Sequence, residues 1–183
     1  VCREWSKKGN DSVATANLPA HFNHQVECDL MFIHNYILFC MIDKCIRWFH
    51  TQVIPNKFEE TMMSSINSWI QLYGPMKELI SDAESGIRVS HECQRFIARH
   101  GITHVPRPKG AGVRTIDRRI ALHREAINKA DSQLRHEGIS VSFPLVNGEI
   151  TFADNAMLSI NGSTPYNALY GRVPNLLPGI DQR

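Results

Sequence analysis

The sequence has no apolar run approaching the roughly 18–20 residues that a bilayer crossing requires, so no membrane span is expected. It has no initiating Met, and its first residues, VCREWSKKGND, carry neither an apolar core nor an Arg/Ser-rich amphipathic pattern, so no targeting segment is read there. None of its five cysteines (Cys2, Cys28, Cys40, Cys45, Cys93) forms a CxxC pair. That speaks against the common zinc and thiol-redox motifs, and the cysteines inside apolar stretches are expected to be reduced and to pack as small hydrophobes. The sequons at Asn10 and Asn161 have no other sign of secretion beside them, so an intracellular setting is expected. No internal repeat or low-complexity tract is visible. What remains is ordinary for a globular chain: 183 residues, 43% apolar and 21% charged, enough for one domain of roughly 150 residues with flanking pieces.

Net charge is only +2, but it is unevenly spread. Residues 107–135 hold eight Lys/Arg (Arg107, Lys109, Arg114, Arg118, Arg119, Arg124, Lys129, Arg135) against Asp117, Glu125 and Asp131, a local excess of +5 that leaves −3 for the rest. Such a segment suits phosphate, although a solvated helix face gives the same count.

Hydrophobic periodicity orders the elements. VECDLMFI (26–33), YILFCMID (36–43) and IRWFHTQVI (46–54) read as three strands joined by tight turns, an antiparallel meander. Phe58, Met62, Ile66, Trp69, Ile70 and Tyr73 then recur at helical spacing, with Asn56 as a start signal and Gly74-Pro75 as a stop. MKELISD (76–82) reads as a strand parallel to an earlier one, because a helix crosses over between them. A shorter helix over 91–102, a strand over 102–105, a loop over 106–112 and a long helix over 113–135 follow. That helix buries Val113, Ile116, Ile120, Ile127 and Leu134. Residues 139–160 suit either a hairpin around Asn147-Gly148 or a helix, and the helix is preferred. Residues 1–24, polar and aperiodic, read as a linker or extended arm, residues 25–162 as the core domain, and residues 163–183 as a C-terminal extension.

Three carboxylates stand at positions where this order of elements can bring them together: Asp29 in the first strand, Asp82 at the end of the fourth, and Asp117 in the first turns of the long helix. Clustered carboxylates repel one another, and a divalent cation compensates them. Oxygen donors without His or Cys favour Mg²⁺ or Mn²⁺ over Zn²⁺. Local readings stay open beside this one. Asp82 also serves as a turn former, Asp117 also suits a helix N-terminus, and Glu27 and Asp43 show that strand acids are not rare here. Arg114, Asp117, Arg118 and Ala121 share one helix face, so two guanidinium groups accompany Asp117, and Lys109 lies in the glycine-flanked loop before them.

Taken in order, VECDLMFI with Asp29, MIDKCIRWFH (41–50), WIQLYGPMKELISDAESGI (69–87) with Asp82, GAGVRTIDRRIAL (110–122) and STPYNALYGRVP (163–174) resemble the catalytic core of retroviral and retrotransposon integrases. The resemblance implies an α/β, ribonuclease-H-like fold with a five-stranded mixed sheet, three antiparallel strands and then two parallel. It implies Mg²⁺-dependent (or Mn²⁺-dependent) DNA strand transfer with two ions held by Asp29, Asp82 and Asp117. Lys109, Arg114 and Arg118 would touch DNA, both element ends and target, and the setting would be nuclear with a homo-oligomeric assembly. Asp43 would be the structural acid of the second strand. The chain departs from the family pattern in having Asp at 117 where the motif has Glu, an interval from Asp82 one residue shorter than usual, and Ala111-Gly112 where Asn-Gly is common. The upstream zinc-binding and C-terminal DNA-binding domains are not seen, so an isolated core is expected. The alternative reading is an inactive, retained integrase core that binds nucleic acid or protein.

Overall fold

The structure is a computed structural model that describes residues 19–82, 86–107, 115–159 and 162–175. Strands β1 (Gln25–Ile33), β2 (Tyr36–Asp43) and β3 (Phe49–Ile54) form the expected antiparallel meander, and β4 (Glu78–Asp82) and β5 (Thr103–Arg107) add to it in parallel. The sheet order is β3-β2-β1-β4-β5. Helices α1 (Glu59–Tyr73), α2 (Gly86–Val89) and α3 (His91–Arg99) precede β5, and α4 (Thr115–His136), α5 (Phe143–Met157) and α6 (Pro165–Tyr170) follow it.

Strand alternation explains the two-sided core. Val26 and Cys28 of β1 pack with Phe39, Met41 and Leu79 on the face that receives Ile66 and Trp69 of α1 and Cys93 and Ile97 of α3. Met31 and Ile33 pack with Leu38, Cys40, Ile42 and Phe49 on the face that receives Ile116, Ile120 and Ile127 of α4. A central strand covered on both faces has no polar side to show, hence the nearly unbroken apolar run of β2. Burial of each such side chain contributes about 1.5–3 kcal/mol relative to exposure.

Several boundaries differ from the sequence reading for local reasons. The third strand starts at Phe49 rather than Ile46, because the Asp43 carboxylate accepts the N–H groups of Cys45 (2.9 Å) and Ile46 (2.8 Å) and folds 43–48 into a turn with Arg47 at φ 64°. The fifth strand runs to Arg107 through Pro106, two residues past its expected end. It lies at the sheet edge, where the missing proline N–H costs no ladder bond. α2 was not expected, and α3 ends at Arg99. The hairpin option at Asn147-Gly148 is replaced by α5, with Asn147 buried inside it. Asn56 acts one turn early, its Oδ1 accepting Phe58 N–H (3.0 Å) and Thr61 Oγ1 (2.7 Å) just ahead of α1.

Phe22 stacks edge-on against Tyr73. Asn23 donates through Nδ2 to the carbonyls of Tyr73 and Gly74 (3.0 Å each) and accepts from Trp69 Nε1 (2.9 Å). The chain entering β1 is thereby fastened to the end of α1. Among the described residues Cys40, Cys45 and Cys93 are free thiols, and no described helix is long and apolar enough to cross a membrane.

Candidate active site

The parallel register of β1 and β4 sets Gln25 beside Glu78, Val26 beside Leu79 and Glu27 beside Ile80. Asp29 and Asp82 have that same offset of 53 positions and follow, two residues on, the last paired residues Glu27 and Ile80. Asp29 also pairs with Cys40 of β2, a residue of the core beneath α4. Burial first, and then the Asp29 charge, push the Cys40 thiol far above its usual range. Asp29 is therefore on the α4 face, half-buried, and its Oδ1 accepts the Leu30 N–H at 2.7 Å. Asp82, exposed, pairs with Arg107 of β5. Asp117, half-buried, lies in the first turn of α4.

The helix start is seated on the same face, since the Ile116 N–H donates to Glu27 Oε2 at 2.9 Å. Asp29 thus lies on the sheet face that α4 covers, two residues past the Glu27 that receives the helix start, and Asp117 lies in the first turn of that helix. Among the described residues no three His, Cys, Asp or Glu side chains are gathered closely enough to hold a metal ion. The donor chemistry of Asp29, Asp82 and Asp117, carboxylate oxygen throughout, is what Mg²⁺ or Mn²⁺ takes.

The basic segment divides into residues with different duties. Arg118 and Arg124 are exposed on α4. Arg119, only 4% exposed, donates through Nη2 to the Arg47 carbonyl (3.1 Å) and lies over the Phe49 ring. Arg107 Nη2 is 3.6 Å from Glu27 Oε1, and Lys44 Nζ is 3.9 Å from the same oxygen. Burial lowers the pKa of the Lys44 ammonium, with Arg107 and Arg47 acting the same way and Glu27 opposing them. Lys129 and Arg135 pair along the helix with Glu125 and Asp131, at 2.6 Å each. The local excess of +5 is therefore not all available to a ligand. Lys109, Arg114 and Val113 lie outside the described residues.

In the sequence Glu27 reads as an ordinary strand acid, and nothing singles out the buried polar members of the α4 stripe. His123, fully buried, bonds through Nδ1 to Asp154 Oδ2 (2.7 Å) and through Nε2 to Asn147 Oδ1 (3.0 Å), and Asn147 Nδ2 donates to Thr51 Oγ1 (2.9 Å). These bonds seat α5 between α4 and β3. Period-2 spacing ahead of Asp29 was the available signal for Glu27; for His123 the sequence offered only its place on the buried stripe.

On the other face, beside Asp82, Ser81 Oγ meets His104 Nε2 at 2.8 Å and Gln94 Nε2 meets His104 Nδ1 at 3.0 Å. Gln94 Nε2 is a donor, so Nδ1 accepts and the imidazole is neutral with its proton on Nε2. Burial lowers the His104 pKa, with Arg88 adding to it, and burial lowers that of His50. A histidine with a depressed folded-state pKa binds fewer protons folded than unfolded, so stability rises with pH through that range. The melting temperature should hold steady above the ordinary histidine pKa of 6.5 and fall progressively as pH drops below it. His104→Gln should flatten part of that slope, as read by thermal denaturation across pH 5–8; an unchanged slope would remove His104 from the account.

No family model matches the sequence, and no curated protein sequence matches it. Solved structures do match the fold. The HTLV-2 integrase catalytic core domain in complex with magnesium, in a dimeric form, aligns with a TM-score of 0.69 at 16% identity, over 85% of this chain and 99% of that one. The simian T-cell lymphotropic virus intasome in complex with PP2A regulatory subunit B56 gamma aligns with a TM-score of 0.73 at 16% identity, over 94% of this chain and 61% of that one. The BIV integrase catalytic core domain gives 0.64 at 16%, over 80% and 93%. The five-stranded mixed sheet and its flanking helices are accordingly the fold of retroviral integrase catalytic cores.

Proposed function

We propose that the chain is a DNA strand-transferase of the integrase type, with Asp29, Asp82 and Asp117 as its catalytic and metal-holding residues. The observation that carries this reading is that Asp29 and Asp82 share a register offset two residues past the Glu27–Ile80 pair of adjoining parallel strands, with the α4 start just before Asp117 bonded to Glu27. The magnesium in the HTLV-2 core supports the same cofactor here, and its dimeric and trimeric forms support a homo-oligomer. When bound, two Mg²⁺ or Mn²⁺ ions would supply Lewis acidity and neutralise charge at the scissile phosphate.

The protein's own part is positioning and electrostatics. Two rigid strands fix Asp29 and Asp82 relative to each other, and the docked helix brings Asp117 to the same end. Arg118, exposed one residue after Asp117, faces solvent where a phosphate backbone would approach, with Lys109 and Arg114 in the segment before it. The attacking oxygen belongs to water in end processing and to a DNA 3′-hydroxyl in joining. Displacement at phosphorus releases the leaving 3′-oxygen, and no covalent enzyme intermediate is needed. The test is incubation with a labelled duplex oligonucleotide and Mg²⁺ or Mn²⁺. Metal-dependent cleaved or joined products are expected, and their absence with both metals would leave the second reading, an inactive core that binds nucleic acid or protein, which Asp in place of Glu at 117 favours.

DNA binding is separable from chemistry. Alanine at Lys109, Arg114 and Arg118 together should weaken binding at all sequences and reduce the salt slope by about one unit per lost phosphate contact. Fluorescence anisotropy across salt concentrations measures this. An unchanged slope would return these residues to a solvated helix face.

A further inference from the structure

We infer that Glu27 is a positioning residue for the third acid, holding the start of α4 against the sheet from within β1; its catalytic consequence rests on the strand-transfer reading. Glu27 is 1% exposed and stands two residues before Asp29, so strand alternation puts both on the α4 face. The free amides of a helix's first turn usually meet an acceptor from the N-cap residue beside them. In this chain an acceptor 89 positions away, Glu27 Oε2, takes the Ile116 N–H, one residue before Asp117. Its negative charge also suits the positive end of the helix dipole.

The other oxygen makes the residue costly. Among the described residues Glu27 Oε1 is buried and has no hydrogen-bond partner, with Arg107 and Lys44 at 3.6 and 3.9 Å. A buried carboxylate with an unfilled oxygen carries a desolvation penalty that an apolar side chain would avoid. What the carboxylate supplies in return is a fixed strand-to-helix distance where Asp117 leaves the helix. Two further bonds hold the same turn: Arg47 Nη1 donates to Thr115 Oγ1 (2.6 Å), and Arg119 donates to the Arg47 carbonyl. Asp is one methylene shorter than Glu, about 1.5 Å of reach, so a site with Asp at 117 depends closely on how near the helix sits.

The test compares Glu27→Ala and Glu27→Gln in the whole chain, by amide hydrogen exchange and by Mn²⁺-dependent DNA joining. Glu27→Ala should speed exchange at residues 116–118 about tenfold, the size of a lost cap, with residues 120–127 little changed. It should lower kcat about 100-fold, as an ångström of misplacement does, with KM for DNA nearly unaltered. Glu27→Gln keeps an amide oxygen for the Ile116 N–H and should restore both protection and most of kcat. Unchanged protection in Glu27→Ala, a change in KM instead of kcat, or equal damage from Gln and Ala would overturn the inference. A parent chain that joins no DNA would sink the strand-transfer reading alone. Exchange then decides: loss in Glu27→Ala with recovery in Glu27→Gln upholds the anchor, and no loss overturns it.

Discussion

Asp82→Asn should remove metal-dependent DNA joining, by about 10³-fold or more in kcat, while leaving the fold intact. The magnitude is that of removing a preorganised electrostatic group from a reacting centre. The fold should survive because Asp82 is exposed at the last position of β4 and the sheet's apolar contacts lie before it. Asp29→Asn should lose as much, and its amide oxygen still accepts the Leu30 N–H in place of Oδ1. Asp117→Asn should also be inactive, whereas Asp117→Glu, which restores a longer carboxylate, should keep part of the activity or raise it. Single-turnover joining assays with circular dichroism as a fold control measure all four. Full joining by Asp117→Asn would show that the third acid is misassigned.

The largest loss of stability is expected at Trp69. It is fully buried and packs against Tyr73 with ring centroids 4.8 Å apart, while Nε1 donates to Asn23 Oδ1. Trp69→Ala should cost about 3–5 kcal/mol, because it opens a cavity where α1 meets the sheet and leaves a half-buried amide oxygen without its donor. At roughly 2–4 °C per kcal/mol for a domain of this size, the melting temperature should fall by about 6–20 °C. Trp69→Phe should lose less. A drop under 2 °C for the alanine variant would mean that the entering chain and α1 are not fastened as described.

Both expectations start from residues whose signal was local. The Met62, Ile66 and Trp69 stripe announced α1, and the apolar run of β2 announced a strand buried on both faces. Asp29 and Asp82 were also legible, because each closes or interrupts an apolar run with a carboxylate. Residues whose partners are distant in sequence were not. Arg119 and His123 look like solvated charges on a basic helix until Arg47, 72 positions away, and Asp154, 31 away, are brought to them. Glu27 resembles any strand acid until α4 folds back onto it. Residues 46–48 read as strand because Ile46 and Trp48 have strand propensity, yet they belong to the turn between β2 and β3. The Asp43 carboxylate, bonding to three backbone N–H groups, overrides that propensity.

In the proposed function Asp29, Asp82 and Asp117 serve one metal site. Titrating Mn²⁺ into isotope-labelled protein and following backbone amide signals tests it directly, since a paramagnetic ion broadens only the amides near it. Signals at residues 29, 82 and 117 should fade together at substoichiometric Mn²⁺, and Asp82→Asn should abolish the effect at all three. Broadening confined to one of the three positions, centred elsewhere, or unaltered in Asp82→Asn would contradict that assignment.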